Sequence, residues 1–137
     1  MIREAEVIVR DISGIQSLIQ IGVDSGHLLP RSKEEILESI SKRHFWVADH
    51  GIGIVGCAAL EVYSPRLAEI RSVSVMQEFR RGKLGTQLVE RCVEEARRLG
   101  VREVLSVTDQ LRFFESLGFR KQLQGQYPLF LKLDSSG

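Results

Sequence analysis

The chain has 137 residues, 43% apolar and 27% charged, which suits one globular domain and excludes two full domains or a metal- or disulfide-stapled miniprotein. A formal charge of +1 excludes the single-signed field of a nucleic-acid or membrane-surface binder. No apolar run is long enough to span a bilayer and the N-terminus reads as a charged strand, so the expectation is a cytoplasmic protein.

Residues 2–9 carry β-branched side chains and predict a strand. Asp11 or Ser13 can cap a helix whose apolar face is Ile12, Ile15, Leu18 and Ile19. Residues 22–31, with Gly22, Gly26 and Pro30, read as a loop. Ser32-Lys33-Glu34-Glu35 has the form of a capping box, so a second helix should begin at Lys33. Residues 45–48 and 54–63 predict a β-hairpin, and residues 68–75 a further strand after the break at Pro65. Leu84, Leu88, Val89, Cys92, Val93 and Ala96 recur at helical spacing up to Gly100, where a left-handed C-cap belongs. A strand over 101–107, a short helix over 109–117, and a final strand pair over 119–123 and 129–133 complete the series. The order predicts a single α/β domain over 1–134 with a mixed-direction sheet of about seven strands and about four helices, followed by a loose tail at 135–137. Cys57 and Cys92 fall inside apolar patterns and read as buried thiols of a reducing compartment. His27, His44 and His50 lack metal-ligand spacing, so no metal is expected.

Two glycine patterns compete for a phosphate. Gly51-Ile52-Gly53-Ile54-Val55-Gly56 matches the dinucleotide fingerprint letter for letter. It runs into a strand, however, whereas phosphate binding needs it to open a helix. Arg80-Arg81-Gly82-Lys83-Leu84-Gly85-Thr86 does run into a helix. Unpaired amides there, glycines that permit close approach and three cations suit a diphosphate. The other reading of this stretch is a basic loop before an amphipathic helix.

With this element order and turn, nearly the whole chain resembles the GNAT-type acyl-CoA N-acyltransferases. Val73-Ser74-Val75 is similar to the strand that pairs with the pantetheine arm. The turn from Arg80 to Thr86 resembles the pyrophosphate turn, with Lys83 where the family usually has a glycine. Phe113-Phe114-Glu115-Ser116-Leu117-Gly118-Phe119 resembles the segment beside the acetyl group, which makes Phe114 a cofactor contact. Within the superfamily the stretches Leu28-Leu29-Pro30-Arg31-Ser32, Phe45-Trp46-Val47-Ala48, Gly56-Cys57-Ala58-Ala59-Leu60 and Ala68-Glu69-Ile70-Arg71 are similar to the acetyltransferase domain of bacterial N-acetylglutamate synthases. The resemblance implies acetyl-CoA as cosubstrate and a small amine, of amino-acid type, as acceptor. No counterpart to the synthases' C-terminal substrate segment follows Phe119.

Such chemistry needs a base for the ammonium, a donor for the oxyanion and an acid for the thiolate. Glu69 is the candidate base; its alternative is a surface ion pair with Arg66 or Arg71, and Glu61 is the second candidate. Phe114 stands where many members carry an acidic tyrosine, so Thr108 is the candidate hydroxyl, or else a helix cap, and Tyr127 a further phenol. Arg31, and secondarily Arg71, are candidates for a substrate carboxylate, since a guanidinium fork suits bidentate contact. Two other functions fit the same features: a protein or peptide N-acetyltransferase, and a CoA-binding sensor without turnover. A homodimer is left open.

Overall fold

The computed structural model describes residues 1–134. Its strands are β1 Ile2–Glu4, β2 Phe45–Asp49, β3 Ile54–Val62, β4 Leu67–Val75 and β5 Glu103–Leu105. The helices are α1 Val9–Asp24, α2 Lys33–Ser41, α3 Leu84–Arg98 and α4 Leu111–Ser116, with a 3₁₀ turn at Gln77–Phe79. The sheet follows chain order, β1-β2-β3-β4-β5; the first three pairings are antiparallel and β4–β5 is parallel. Mixed direction therefore follows from one crossover, in which α3 carries the chain from β4 to β5.

Strand alternation divides the core into two layers. On one face Trp46, Ala58, Leu60, Ala68 and Ile70 pack with Leu88, Val89 and Cys92 of α3 and with Phe114 of α4. On the other, Phe45, Val47, Cys57 and Ala59 pack with Ile15, Leu18 and Ile19 of α1 and with Ile36 and Ile40 of α2. β2 and most of β3 are covered on both faces, which explains their unbroken apolar runs. Both cysteines are buried, and burial pushes the Cys57 thiol up to about 12 and Cys92 higher still, so both are inert apolar fillers.

Two glycines of the dinucleotide-like stretch serve unrelated purposes. Gly51 takes φ +84° in the β2–β3 turn, while a Cβ on Gly56 would stand 3.0 Å from the Leu88 side chain. Gly56 is a packing glycine between β3 and α3, and no helix follows.

Several sequence expectations are corrected. Neither Asp11 nor Ser13 caps α1: Ile8 occupies the N-cap without a side-chain bond. Asp11 lies in the first turn, fully buried, where it accepts two 2.8 Å bonds from Arg3 and another from the Glu6 amide. Gly22 is not in a loop; α1 runs on to Asp24, and the missing Cβ leaves room for Leu28, whose side chain folds back to within 2.4 Å of where that Cβ would be. The capping box at Ser32 and Glu35 forms as expected. Among the described residues the sheet has five strands where about seven were expected. The pair over 119–123 and 129–133 is replaced by one isolated bridge, Leu123↔Gln126, because neither segment finds a ladder partner. The expected tail at 135–137 lies outside the described residues. No helix among the described residues is long and apolar enough to cross a membrane.

Candidate active site

The site begins where the sheet comes apart. β4 pairs with β5 only through Leu67↔Glu103, Ala68↔Val104 and Glu69↔Leu105. Along β3, pairing jumps from Ala59↔Arg71 to Cys57↔Ser74, so β4 holds one residue more than β3 across this step. This is a β-bulge, and within it Ser72 takes φ +58°, a left-handed conformation unusual for a residue with a Cβ. The Cys57 thiol donates to the Ser72 carbonyl at 3.3 Å, and the Ser106 hydroxyl to the Ile70 carbonyl at 3.0 Å. Beyond Ile70 the bulge turns β4 away from β5, and its backbone on that side has no strand partner among the described residues.

A cleft of about 290 Å³ occupies this opening. Glu69, Arg71 and Ser72 form its floor, His27, Leu28 and Leu29 one wall, and Val107, Thr108 and Asp109 the other. His27 Nδ1 and Asp109 Oδ2 meet at 2.7 Å, joining the two walls.

At the far end of β4 the turn over 80–86 runs into α3, as the sequence pattern suggests. The first bond within α3 is from the Gln87 amide to the Lys83 carbonyl, and no side chain caps the helix, so its leading amides point outward. Lys83 sits at the N-cap with φ −100°, an ordinary conformation; the lysine in place of a glycine does not distort the turn. A Cβ on Gly85 would meet the Phe113 ring at 3.4 Å, so this glycine lets α4 pack against the start of α3. Gly82, Arg81 and Lys83 are exposed. Arg80 is partly committed: its Nε donates to the Val75 carbonyl at 2.9 Å, tying the turn to the end of β4.

Glu69 is half-buried on the cleft floor, directly across from Glu61 in the β3–β4 register. Its expected partners are not engaged: Arg66 bonds Glu103 at 2.8 Å instead. The partner is Tyr63, whose phenol donates to Glu69 Oε1. Burial, with the hydrogen bond to Glu69 next, pushes that phenol up to about 12, so it holds its proton. Nothing in composition or local pattern marks Tyr63. Only the hairpin register brings it to Glu69.

Arg31 departs from the solvated loop arginine that its position suggests. Its side chain is 3% exposed. Nη2 donates to Ser39 Oγ at 3.2 Å and lies 3.9 Å from Glu61, and Nε lies 3.9 Å from Glu35. Buried Nε and Nη1 have no hydrogen-bond partner. Burial first and the nearby Arg71 second push its pKa below the usual guanidinium value. Arg31 thus lies near a second guanidinium, that of Arg71, with two of its own donors unmet.

Two other predicted residues take more structural roles. Thr108 Oγ1 accepts from the Gln110 amide at 2.8 Å ahead of α4, while its own hydroxyl proton is uncommitted at the cleft wall. Phe114 is 5% exposed and packs edge-on against Phe113 and Phe119, a core position below the cleft. Tyr127 is 64% exposed in the segment after α4. A larger hollow of about 600 Å³ lies elsewhere, among Glu4, Arg43, Trp46, Glu95 and Arg98. Four of its charges are paired within it, in the Arg43–Glu4 and Arg98–Glu95 bonds.

A splayed β4–β5 pair leading to an uncapped helix start agrees with the α/β fold that the resemblance to acyl-CoA N-acyltransferases implies. Residues 41–121 match the acetyltransferase (GNAT) domain, and the chain belongs to that family. It is 38% identical over 117 residues to an uncharacterized N-acetyltransferase of Chlorobaculum tepidum, covering 85% of this chain and 74% of that one. It is 34% identical to an amino-acid acetyltransferase of Aeromonas salmonicida, over 81% of this chain but 25% of the relative, so it spans about a quarter of that protein. Among solved structures, Rv2747 of Mycobacterium tuberculosis, in complex with CoA and NLQ, superposes with TM-score 0.74 at 28% identity, over 88% of this chain and 72% of the other. N-acetylglutamate synthase of Neisseria gonorrhoeae, complexed with coenzyme A and N-acetyl-glutamate, does so with TM-score 0.75 at 27% identity, over 86% of this chain and 27% of the other.

Proposed function

We propose that this N-acetyltransferase transfers the acetyl group of acetyl-CoA to the amine of a small carboxylate-bearing metabolite, of amino-acid type. The observation that carries the acceptor class is Arg31, a 3% exposed guanidinium with two donating nitrogens unmet, near Arg71 of the cleft. A substrate carboxylate supplies the missing acceptors.

Acetyl-CoA fits the remaining features and supplies an acetyl thioester whose carbonyl carbon accepts the amine and whose sulfur departs. The outward amides from Lys83 to Thr86, with Arg81 and Lys83, hold its pyrophosphate. The backbone of Val73, Ser74 and Val75, without a strand partner on the β5 side, pairs with the amide groups of its arm. Glu69 takes the proton from the acceptor's ammonium, directly or through one water. Tyr63 holds one oxygen of Glu69 and leaves the other free to accept. Thr108 offers its hydroxyl proton from the opposite wall. Arg31 and Arg71 orient the carboxylate so that the amine faces the floor, where positioning provides much of the rate.

Free CoA release measured against a panel of amino acids and their decarboxylated amines tests the reading. Turnover with amino acids and much less with the matching amines supports it. Equal turnover with both removes Arg31 from acceptor binding, and no turnover with any acceptor removes the catalytic role.

A further inference from the structure

We propose that the acceptor is an amino acid with an uncharged, apolar side chain, seated between Leu28 and Leu29 on one cleft wall and Val107 on the other. This rests on the acetyl transfer to an amino-acid amine proposed above.

The cations of the cleft lie together at one place. Arg71 is on the floor, and Arg31 lies near it. One carboxylate bridging this pair occupies both guanidinium groups. A second carboxylate, on the acceptor's side chain, finds no further arginine or lysine among the lining residues. It meets Glu69 on the floor and Asp109 on the wall instead, and like charges at close range repel. His27 is already engaged, with its Nδ1 at 2.7 Å from Asp109. That bond also holds the Asp109 carboxyl below its usual range, so Asp109 is charged at neutral pH.

The walls offer apolar surface in place of positive charge. Leu29 is 70% exposed and Val107 55%, and Leu28 is half-buried. The walls come from distant segments, the loop after α1 and the stretch after β5. The Leu28 wall is anchored: the His27 and Leu28 amides both donate to the Gly22 carbonyl, at 2.9 and 3.1 Å, and the Leu28 side chain fills the space that Gly22 leaves. The His27–Asp109 bond then ties this wall to the other and fixes their spacing. Apolar surface held open on both sides of a cleft gains by covering an apolar group, and metabolite sites are built this way, with a few polar groups fixing orientation. Arg31, Arg71 and Glu69 address the carboxylate and amine that every amino acid carries, and the walls read the side chain.

Initial rates at saturating acetyl-CoA with leucine, methionine, glutamine and glutamate test this. Leucine and methionine should exceed glutamate in kcat/KM by about tenfold or more. Glutamine should fall in between, since it keeps glutamate's shape without its charge. Val107→Arg, at an exposed position, should raise kcat/KM for glutamate by about tenfold or more and lower it for leucine. Leu29→Arg should do the same if the first variant does not fold. Leu29→Ser should raise the KM for leucine without moving that for acetyl-CoA. Glutamate equal to or better than leucine with the wild type overturns the proposal and leaves the amino-acid reading intact. So does a leucine kcat/KM that neither Leu29→Ser nor Val107→Arg changes. No turnover with any amino acid overturns both.

Discussion

Replacing Arg31 by Met should make the protein more stable and a worse enzyme. Burial without acceptors leaves Nε and Nη1 unsatisfied, at about 1–3 kcal/mol each, or roughly 2–6 kcal/mol together. Against this stand one hydrogen bond to Ser39 and two 3.9 Å contacts to partly exposed glutamates. After discounting those carboxylates for solvent screening, they return roughly 1–3 kcal/mol. Methionine keeps an unbranched apolar stem, and the glutamates it leaves behind can turn to water. The midpoints of these ranges differ by about 2 kcal/mol in favour of methionine, seen as a higher urea midpoint at unchanged m value. Activity should move the other way. Loss of charge-assisted bonds to the acceptor carboxylate costs about 1.5–3 kcal/mol, roughly 10–150-fold in kcat/KM, with the KM for acetyl-CoA unchanged. Arg31→Lys should recover only part of it, because a point charge cannot reproduce the fork. A destabilised Arg31→Met protein with normal acceptor KM would show that Arg31 is structural, satisfied by Ser39, Glu35 and Glu61.

Three further outcomes are expected. Glu69→Gln should lower kcat by about 10²–10⁴-fold and remove the rise of rate with pH, while a thermal shift shows acetyl-CoA still bound; an unchanged kcat would return Glu69 to a hydrogen-bonding partner of Tyr63. Acetyl-CoA at about 100 times its dissociation constant should stabilise the protein by about 2.7 kcal/mol and NAD far less, and Gly85→Leu, which drives a side chain into Phe113, should abolish the difference. Asp11→Asn should cost on the order of 1.5–3 kcal/mol at neutral pH, because it weakens the charge-assisted bonds between the fully buried Asp11 and Arg3, which is itself a quarter exposed and also held by Asp49. The Arg3 bonds hold the Asp11 carboxyl below its usual range. Its contribution is therefore fully present above about pH 4 and is lost as pH falls through the lowered value, so wild type and variant should converge in acid denaturation; a constant difference down to pH 2 would refute the assignment.

The local grammar of the sequence was sufficient for most elements. Ser32 and Glu35 cap α2 because capping is settled within four residues, and Leu88, Val89, Cys92 and Ala96 define the buried face of α3 because helical spacing is local. The turn over 80–86 was legible for the same reason, as a basic glycine-bearing run into a helix. The final strand pair was not: residues 129–133 have a strand's pattern, but a strand exists only when a partner edge accepts it. Asp11 looked like a cap until Arg3, on a neighbouring strand, buried it. The sequence by itself determined the order of elements, the two apolar faces and the basic turn into α3, all of which depend on near neighbours along the chain. Only the tertiary structure decided the bulge at Ser72 that opens β4 from β5, the Tyr63 bond to Glu69, and the burial of Arg31 with its donors unmet. Each of these depends on cross-strand register or layer packing between distant segments, and a single residue's shift in register would have turned those side chains to the other face.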